Sequence, residues 1–129
     1  MSGYRTATLD EIAAEKWPYW APIRHHFGIE TFGVNAWRGQ TGDTVVPEHD
    51  EADSGAPELY YVVHGRCAFT VGGEEVDAPA GTLVWIDDPA ATRSGRASAD
   101  GTLVLTIGAA APGQAYAPGG WDTRYLEGE

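Results

Sequence analysis

From Ile29 onward the chain is a succession of short β-type runs, each stopped by turn residues, and this punctuation leaves few folds open. The runs are IETFGVNAWR, TVVPEHDE, ELYYVVHG, RCAFTV, TLVWI and TLVLTIG, with a weaker one near TRSGRAS. They are rich in Val, Ile, Thr and aromatic residues, which suit a pleated, half-buried surface. Between them stand GQTGD, ADSGAP, DDPAA and ADG, built from residues that turn a chain. Gly72-Gly73 inside VGGEEV marks a tight hairpin, and ELYYVVHG and RCAFTV read as a second hairpin around His64-Gly65. About eight short strands at such spacing predict an antiparallel barrel or sandwich.

The ends differ from this pattern. Thr8 is suited to cap a helix, with Glu11 three residues on, and Leu9, Ile12, Ala13 and Lys16 follow at helical spacing until Pro18. WPYWAPIRHHFG should then run extended along the surface of the β domain. The tail AAAPGQAYAPGGWDTRYLEGE is rich in Gly, Pro and Ala, and its aromatics Tyr116, Trp121 and Tyr125 should pack on something. The expected organisation is a helix and extended arm over 1–28, a β-barrel over 29–108, and an arm over 109–129 on the barrel or a partner subunit.

A chain of 129 residues with 43% hydrophobic content can bury one core. Its 19 acidic against 8 basic residues give a formal charge of −11. That argues against nucleic acid and against an anionic membrane, both of which need a basic surface. No GxxxxGK[ST] and no GxGxxG opening a helix is present. The polar start MSGYRTATLDEIAAEKW lacks a signal peptide's apolar core, and no run reaches the ~18 apolar residues of a membrane span. A cytoplasmic protein is expected. Cys67 stands alone, which excludes an intrachain disulfide and a cysteine zinc site, and in RCAFTV it reads as a small core residue.

Chemistry concentrates in PEHDEADSGAPELYYVVHG, Pro47 to Gly65. His49 and Glu51 are two apart, so in a strand they share a face about 7 Å apart, with Glu48 and Asp50 turned to solvent. Glu58, Tyr60 and Val62 share one face of the next strand. The stretch resembles the first motif of the cupin superfamily: His-x-His, a few residues, Glu, six residues, Gly. His49 stands at the first histidine position, Glu51 at the second, Glu58 at the glutamate, and Gly65 closes the motif. The second cupin motif has an echo in Gly81, the strand TLVWI and the loop DDPAA, with Thr92 where a histidine is expected. The resemblance spans roughly Glu30 to Ile107.

It implies an all-β double-stranded β-helix, a jelly-roll barrel, with His49, Glu51 and Glu58 converging at its mouth. Metal-binding cupins have a pattern of three histidines and one glutamate. One imidazole with two carboxylates suits a divalent transition metal such as Mn, Fe, Ni or Zn, with water or substrate completing the shell. A metal-free arrangement is equally compatible: a protonated His49 bridged by the carboxylates would form the polar floor of a small-molecule pocket. The functions left open are a metal-dependent oxygenase, isomerase or lyase on a small polar molecule, a ligand-binding or sensor cupin without catalysis, and an interaction protein that uses its aromatic arms.

Tyr60 and Trp85 are the aromatics suited to line the cavity, with Thr92 and Arg93 beside them. Arg93 or Arg96 could point inward to a substrate carboxylate, or pair with surface acids. His25 and His26 read as surface residues and His64 as part of a turn. Trp17, Trp20 and Trp121 lie outside the expected barrel strands, so a homodimer with exchanged or clasped arms is expected.

Overall fold

The computed structural model describes residues 3–118. Its elements are α1 (Leu9–Ile12), β1 (Trp20–Ala21), α2 (Ile23–Phe27), β2 (Gly33–Gly39), β3 (Thr44–His49), β4 (Glu58–His64), β5 (Arg66–Val71), β6 (Glu74–Pro79), β7 (Leu83–Ile86), β8 (Arg93–Ala97) and β9 (Thr102–Gly108). The strands form two antiparallel sheets, ordered β1-β2-β9-β4-β7 and β3-β8-β5-β6. Alternation along each strand sends one set of side chains between the sheets. Trp37, Val46, Tyr60, Val62, Phe69 and Val104 meet there as the main core. Among the described residues no helix is long and apolar enough to cross a membrane.

Gly72 and Gly73, at φ 56° and 85°, make the expected two-residue turn between β5 and β6. The expected hairpin between β4 and β5 does not form. β4 pairs with β7 and β9, whereas β5 pairs with β6 and β8, so the chain changes sheets at His64-Gly65. Gly65 has φ 75°, and a Cβ there would lie 2.6 Å from the Thr102 Cα. The Thr102 hydroxyl accepts from the Arg66 N–H at 3.2 Å, and its one proton faces the Ala99 carbonyl at 2.7 Å and the Arg66 carbonyl at 3.1 Å. A glycine before a new strand reads as a hairpin turn from sequence, but here it marks a close crossing of two backbones.

The segment before residue 29 also departs from expectation. Thr8 caps α1, its hydroxyl accepting the Glu11 N–H at 3.2 Å, but the helix ends after four residues. The Ala14 N–H instead reaches the Trp20 carbonyl at 2.9 Å and the chain folds back. So short a helix gains little from its own hydrogen bonds; the burial of Ile12 against Ala21 and Ala36 holds it. The arm is not simply extended on the surface. Trp20 and Ala21 pair with Trp37 and Ala36 as an edge strand, and Ile23–Phe27 is helical. Trp20, expected as an exposed interface residue, is 0% exposed: its ring stacks on Trp37 at 5.8 Å and its Nε1–H donates to Asn35 Oδ1 at 3.0 Å. Trp17 is partly buried against the same core. Trp121 and Tyr125 lie outside the described residues. The N-terminal segment thus covers the outer face of β1, β2 and part of β9 through Ile12, Leu9, Ile23 and Phe27.

The crossing yields a prediction. Gly65→Ala adds a methyl group against Thr102 in a left-handed backbone, and should destabilise the protein by at least ~2 kcal/mol. Urea denaturation of both proteins checks it, and an unchanged midpoint would refute this account of the crossing.

Candidate functional site

The site lies at one end of the barrel, where β3 ends, β4 begins and β8 passes beneath. His49 is the last residue of β3 and pairs with Arg93 of β8; Glu58 is the first residue of β4. Parity along β4 turns Glu58, Tyr60 and Val62 inward, as expected. Glu51 arrives differently. It lies beyond β3, in a loop held by its own N–H on the Pro89 carbonyl at 2.7 Å. The Ser54 hydroxyl contacts its Oε2 at 3.1 Å. Loop geometry, not strand alternation, brings its carboxylate to His49. Glu48, Asp50 and Asp53 are exposed.

The His49 Nε2 stands 3.3 Å from Glu51 Oε1 and 3.5 Å from Glu58 Oε1. Its Nδ1 is 2.7 Å from the Pro47 carbonyl, which can only accept, so Nδ1 carries a proton. Glu58 Oε1 also accepts from the Tyr60 hydroxyl at 2.8 Å and from Arg93 Nη1 at 2.6 Å. Arg93 is 0% exposed and donates further to the carbonyls of Ala91 and Asp88 at 2.9 and 3.2 Å. Three donor atoms, one each from His49, Glu51 and Glu58, lie within 4.8 Å of one another, close enough to share an ion.

The electrostatics follow from this packing. Burial alone disfavours the charged imidazole. The contacts with Glu51 and Glu58, the Pro47 carbonyl and the Glu58 charge outweigh it and raise the His49 pKa from 6.5 to about 10. Burial likewise opposes ionisation of Glu58, but its contact with His49, the Tyr60 hydroxyl and the Arg93 charge hold its pKa below 4.5. Tyr60 titrates well above 10 because it is buried and faces Glu58. The packing thus favours the charged forms of His49 and Glu58, which lie against Arg93 and Glu51.

Above the cluster is a cavity of about 70 Å³, enough for a handful of waters or a ligand of similar bulk. Asn35, Trp37, Ser54, Thr106 and Tyr116 line it along with His49, Glu51, Glu58 and Tyr60. The Trp37 Nε1–H is directed to the Thr106 hydroxyl at 3.1 Å. Tyr116 forms part of the roof, so close over Gly33 that a Cβ there would lie 2.4 Å from its hydroxyl oxygen.

Of the residues expected around the pocket, Tyr60 lines it and three others do not. Trp85 is 57% exposed: β7 places it beside Leu59 on the outer face, with Val84 and Ile86 turned inward. Thr92 is exposed, and its carbonyl accepts the Gly72 N–H at 2.8 Å. The inward residue near that position is Arg93, whose guanidinium is engaged by Glu58 and two carbonyls and is not among the lining residues. Arg96 has the opposite parity to Arg93 along β8 and is exposed, as are His25, His26 and His64. Cys67 is buried in the core, and burial pushes its thiol up to about 12. For Arg93 the sequence offered only two nearby arginines of opposite parity, and the register of β8 decides between them; Gly95 on the same face makes room for Cys67 and Phe69, not for the guanidinium. Asn35 and Thr106 gave no comparable signal, because nothing in sequence aligns β2 with β9.

The His49 shift predicts a pH dependence. A folded pKa above the unfolded value stabilises the fold fully below about 6.5, and this contribution declines as pH rises toward about 10. Glu58, shifted downward, contributes above 4.5 and loses its contribution on acidification. Stability from this cluster should therefore be greatest between roughly these limits, and the His49→Gln protein should lose the alkaline decline. ¹⁵N NMR at pH 8 should find both ring nitrogens of His49 protonated; a neutral ring would refute the assignment.

No protein-family model matches this chain, and comparison with curated proteins finds no match. Solved structures do resemble it. A cupin protein from Bacteroides fragilis superposes with a TM-score of 0.69 at 19% identity, covering 92% of this chain and 93% of that one. KdgF from a Halomonas species gives 0.56 at 14% identity over 65% and 73% of the two chains. A sugar phosphate isomerase of the cupin superfamily from Silicibacter pomeroyi gives 0.58 at 17% identity over 72% and 59%. With two facing antiparallel sheets and these structural likenesses, the chain has the cupin fold.

Proposed function

We propose that this cupin binds a small polar molecule in its barrel pocket and does so without a metal ion. The observation that carries this reading is the buried guanidinium of Arg93 on Glu58 Oε1 at 2.6 Å. A carboxylate oxygen that already accepts from Arg93 and Tyr60 is a poor donor to a cation. The packing also favours the charged form of His49, whereas a metal ion needs its Nε2 unprotonated. Around this floor, Ser54, Asn35 and Thr106 offer hydroxyl and amide groups to a ligand, and Trp37 offers an apolar surface. A cytoplasmic location belongs to the same reading, which the single unpaired Cys67 suits.

One observation favours a second reading. The donor atoms of His49, Glu51 and Glu58 converge, and the Pro47 carbonyl holds Nδ1 so that Nε2 faces the other two. These three residues would hold Mn, Fe, Ni or Zn, which would act as a Lewis acid for an oxygenase, isomerase or lyase on a small polar molecule. In that case His49 would have to give up its Nε2 proton and Glu58 would have to loosen its bond with Arg93.

Elemental analysis of protein purified without chelator separates the two. The first reading expects far less than one equivalent of transition metal and a Tm unmoved by Mn, Fe, Ni or Zn. A stoichiometric metal lost in Glu58→Ala would establish the second. Arg93→His should introduce micromolar Ni or Zn binding that the natural protein lacks, by exchanging the internal cation for a nitrogen donor. Arg93→Met should cost about 3–5 kcal/mol, because it leaves the Glu58 charge with His49 alone.

A further inference from the structure

The inward residues of β2, β9 and β4 lie in rows across the sheet. Gly33, Gly108 and Glu58 form the row at the rim, and Asn35, Thr106 and Tyr60 form the next. The two glycines bring no side chain to the rim, so the second row stays open to the cavity that all these residues line. Two indoles fix how that row presents its polar atoms, because an indole N–H can only donate. The Trp20 Nε1–H engages Asn35 Oδ1 at 3.0 Å. Trp20 does not line the cavity and Asn35 does, so the amide turns its oxygen away and its Nδ2–H2 group inward. The Trp37 Nε1–H likewise occupies Thr106 Oγ1 at 3.1 Å and leaves the hydroxyl its own proton to donate. Among the described residues, neither Asn35 Nδ2 nor the Thr106 proton meets an acceptor. On β4, Glu58 takes its contacts with Tyr60, Arg93 and His49 all on Oε1, which leaves Oε2 as an accepting atom. No side-chain polar atom among the described residues is both buried and unpartnered, so Asn35 Nδ2 and Glu58 Oε2 are both accessible. The pocket thus has donors on its β2 and β9 wall and a carboxylate oxygen on β4.

Resting on the binding function proposed above, we infer that Asn35 and Thr106 select a small uncharged molecule bearing a carbonyl oxygen and a neighbouring hydroxyl. A carbonyl oxygen has two lone pairs and no proton, so it can accept from Asn35 Nδ2 and from the Thr106 hydroxyl together. An alcohol in that place brings a proton for which the wall has no acceptor, and an ammonium brings donors against donors. The hydroxyl of the bound molecule donates to Glu58 Oε2. An anionic molecule is disfavoured, because the carboxylates of Glu51 and Glu58 line the cavity and the Arg93 guanidinium does not. The Trp37 ring offers its face to the carbon chain, and a cavity of about 70 Å³ limits that chain to a few carbons. Asn35 is then a specificity-determining residue. Trp20, outside the pocket, is a positioning residue that acts through it by holding the amide in one orientation.

Compounds that share one three-carbon skeleton test it by ¹H–¹⁵N NMR titration of the full chain: dihydroxyacetone, glycerol, 2-amino-1,3-propanediol and glycerate. Dihydroxyacetone should bind in the millimolar range usual for so few atoms and should shift the Asn35 side-chain amide and Trp37 indole signals. It should bind at least tenfold more tightly than the other three. Asn35→Asp keeps an oxygen for Trp20 but turns an acceptor into the cavity, so the preference should pass to 2-amino-1,3-propanediol. Mere loss of packing would weaken every compound and reverse no preference. Trp20→Phe frees the amide to turn over and should abolish the preference for dihydroxyacetone over glycerol while the far-UV CD spectrum is unchanged. Equal or tighter binding of glycerol, the amine or glycerate by the natural protein overturns the inference and leaves the pocket function standing. So does an Asn35→Asp protein that still prefers dihydroxyacetone. If none of the compounds shifts any signal from the pocket, the proposed binding function falls and this inference falls with it.

Discussion

The ionic contact on Glu58 Oε1 ties the two sheets together at the pocket. Glu58 belongs to the five-stranded sheet, while Arg93 and His49 come from two strands of the other. Buried charges are costly unless paired and hydrogen-bonded, and here each finds partners: Arg93 also bonds two carbonyls, His49 a third, and Tyr60 adds its hydroxyl. The far end of β4 has its own tie, where Thr102 grips the Arg66 backbone beside the Gly65 crossing. Between these two polar fastenings the interior is apolar, from Val62 through Phe69 to Val104. The pocket is the space left where the sheets part above the ionic end.

The same contact governs the chemistry. Glu58 is the residue that a cupin motif would assign to a metal, and its reach toward His49 is preserved. The guanidinium that arrives from β8 supplies positive charge to the same oxygen. Arg93 and a divalent ion are therefore competitors for one carboxylate, and the site's character turns on which of them Glu58 serves.

Much of the architecture was legible along the chain. Alternation in ELYYVVH and TLVLTIG identified strands and their inward faces, and Gly72-Gly73 identified a hairpin. The motif spacing from His49 to Gly65 identified the fold. Other features were hidden because they depend on neighbours distant in sequence. Gly65 reads as a turn because a glycine that makes room for Thr102 and one that reverses the chain are the same residue type. Trp20 reads as an exposed anchor because its pairing with Trp37 involves a strand seventeen residues on. Trp85 sits in a core-like run, and only the register of β7 against β4 puts it outside.

Sequence alone determined an antiparallel β structure, since period-two alternation and local turn chemistry act over a few residues, and the motif's resemblance to cupins implied that His49 and Glu58 face a common point. Tertiary structure decided which sheet each strand joins, that Glu51 reaches His49 from a loop, and that Arg93 rather than Thr92 faces Glu58. Those outcomes rest on strand register and on pairing buried charge across two sheets, and neither can be read from residues close together in the chain.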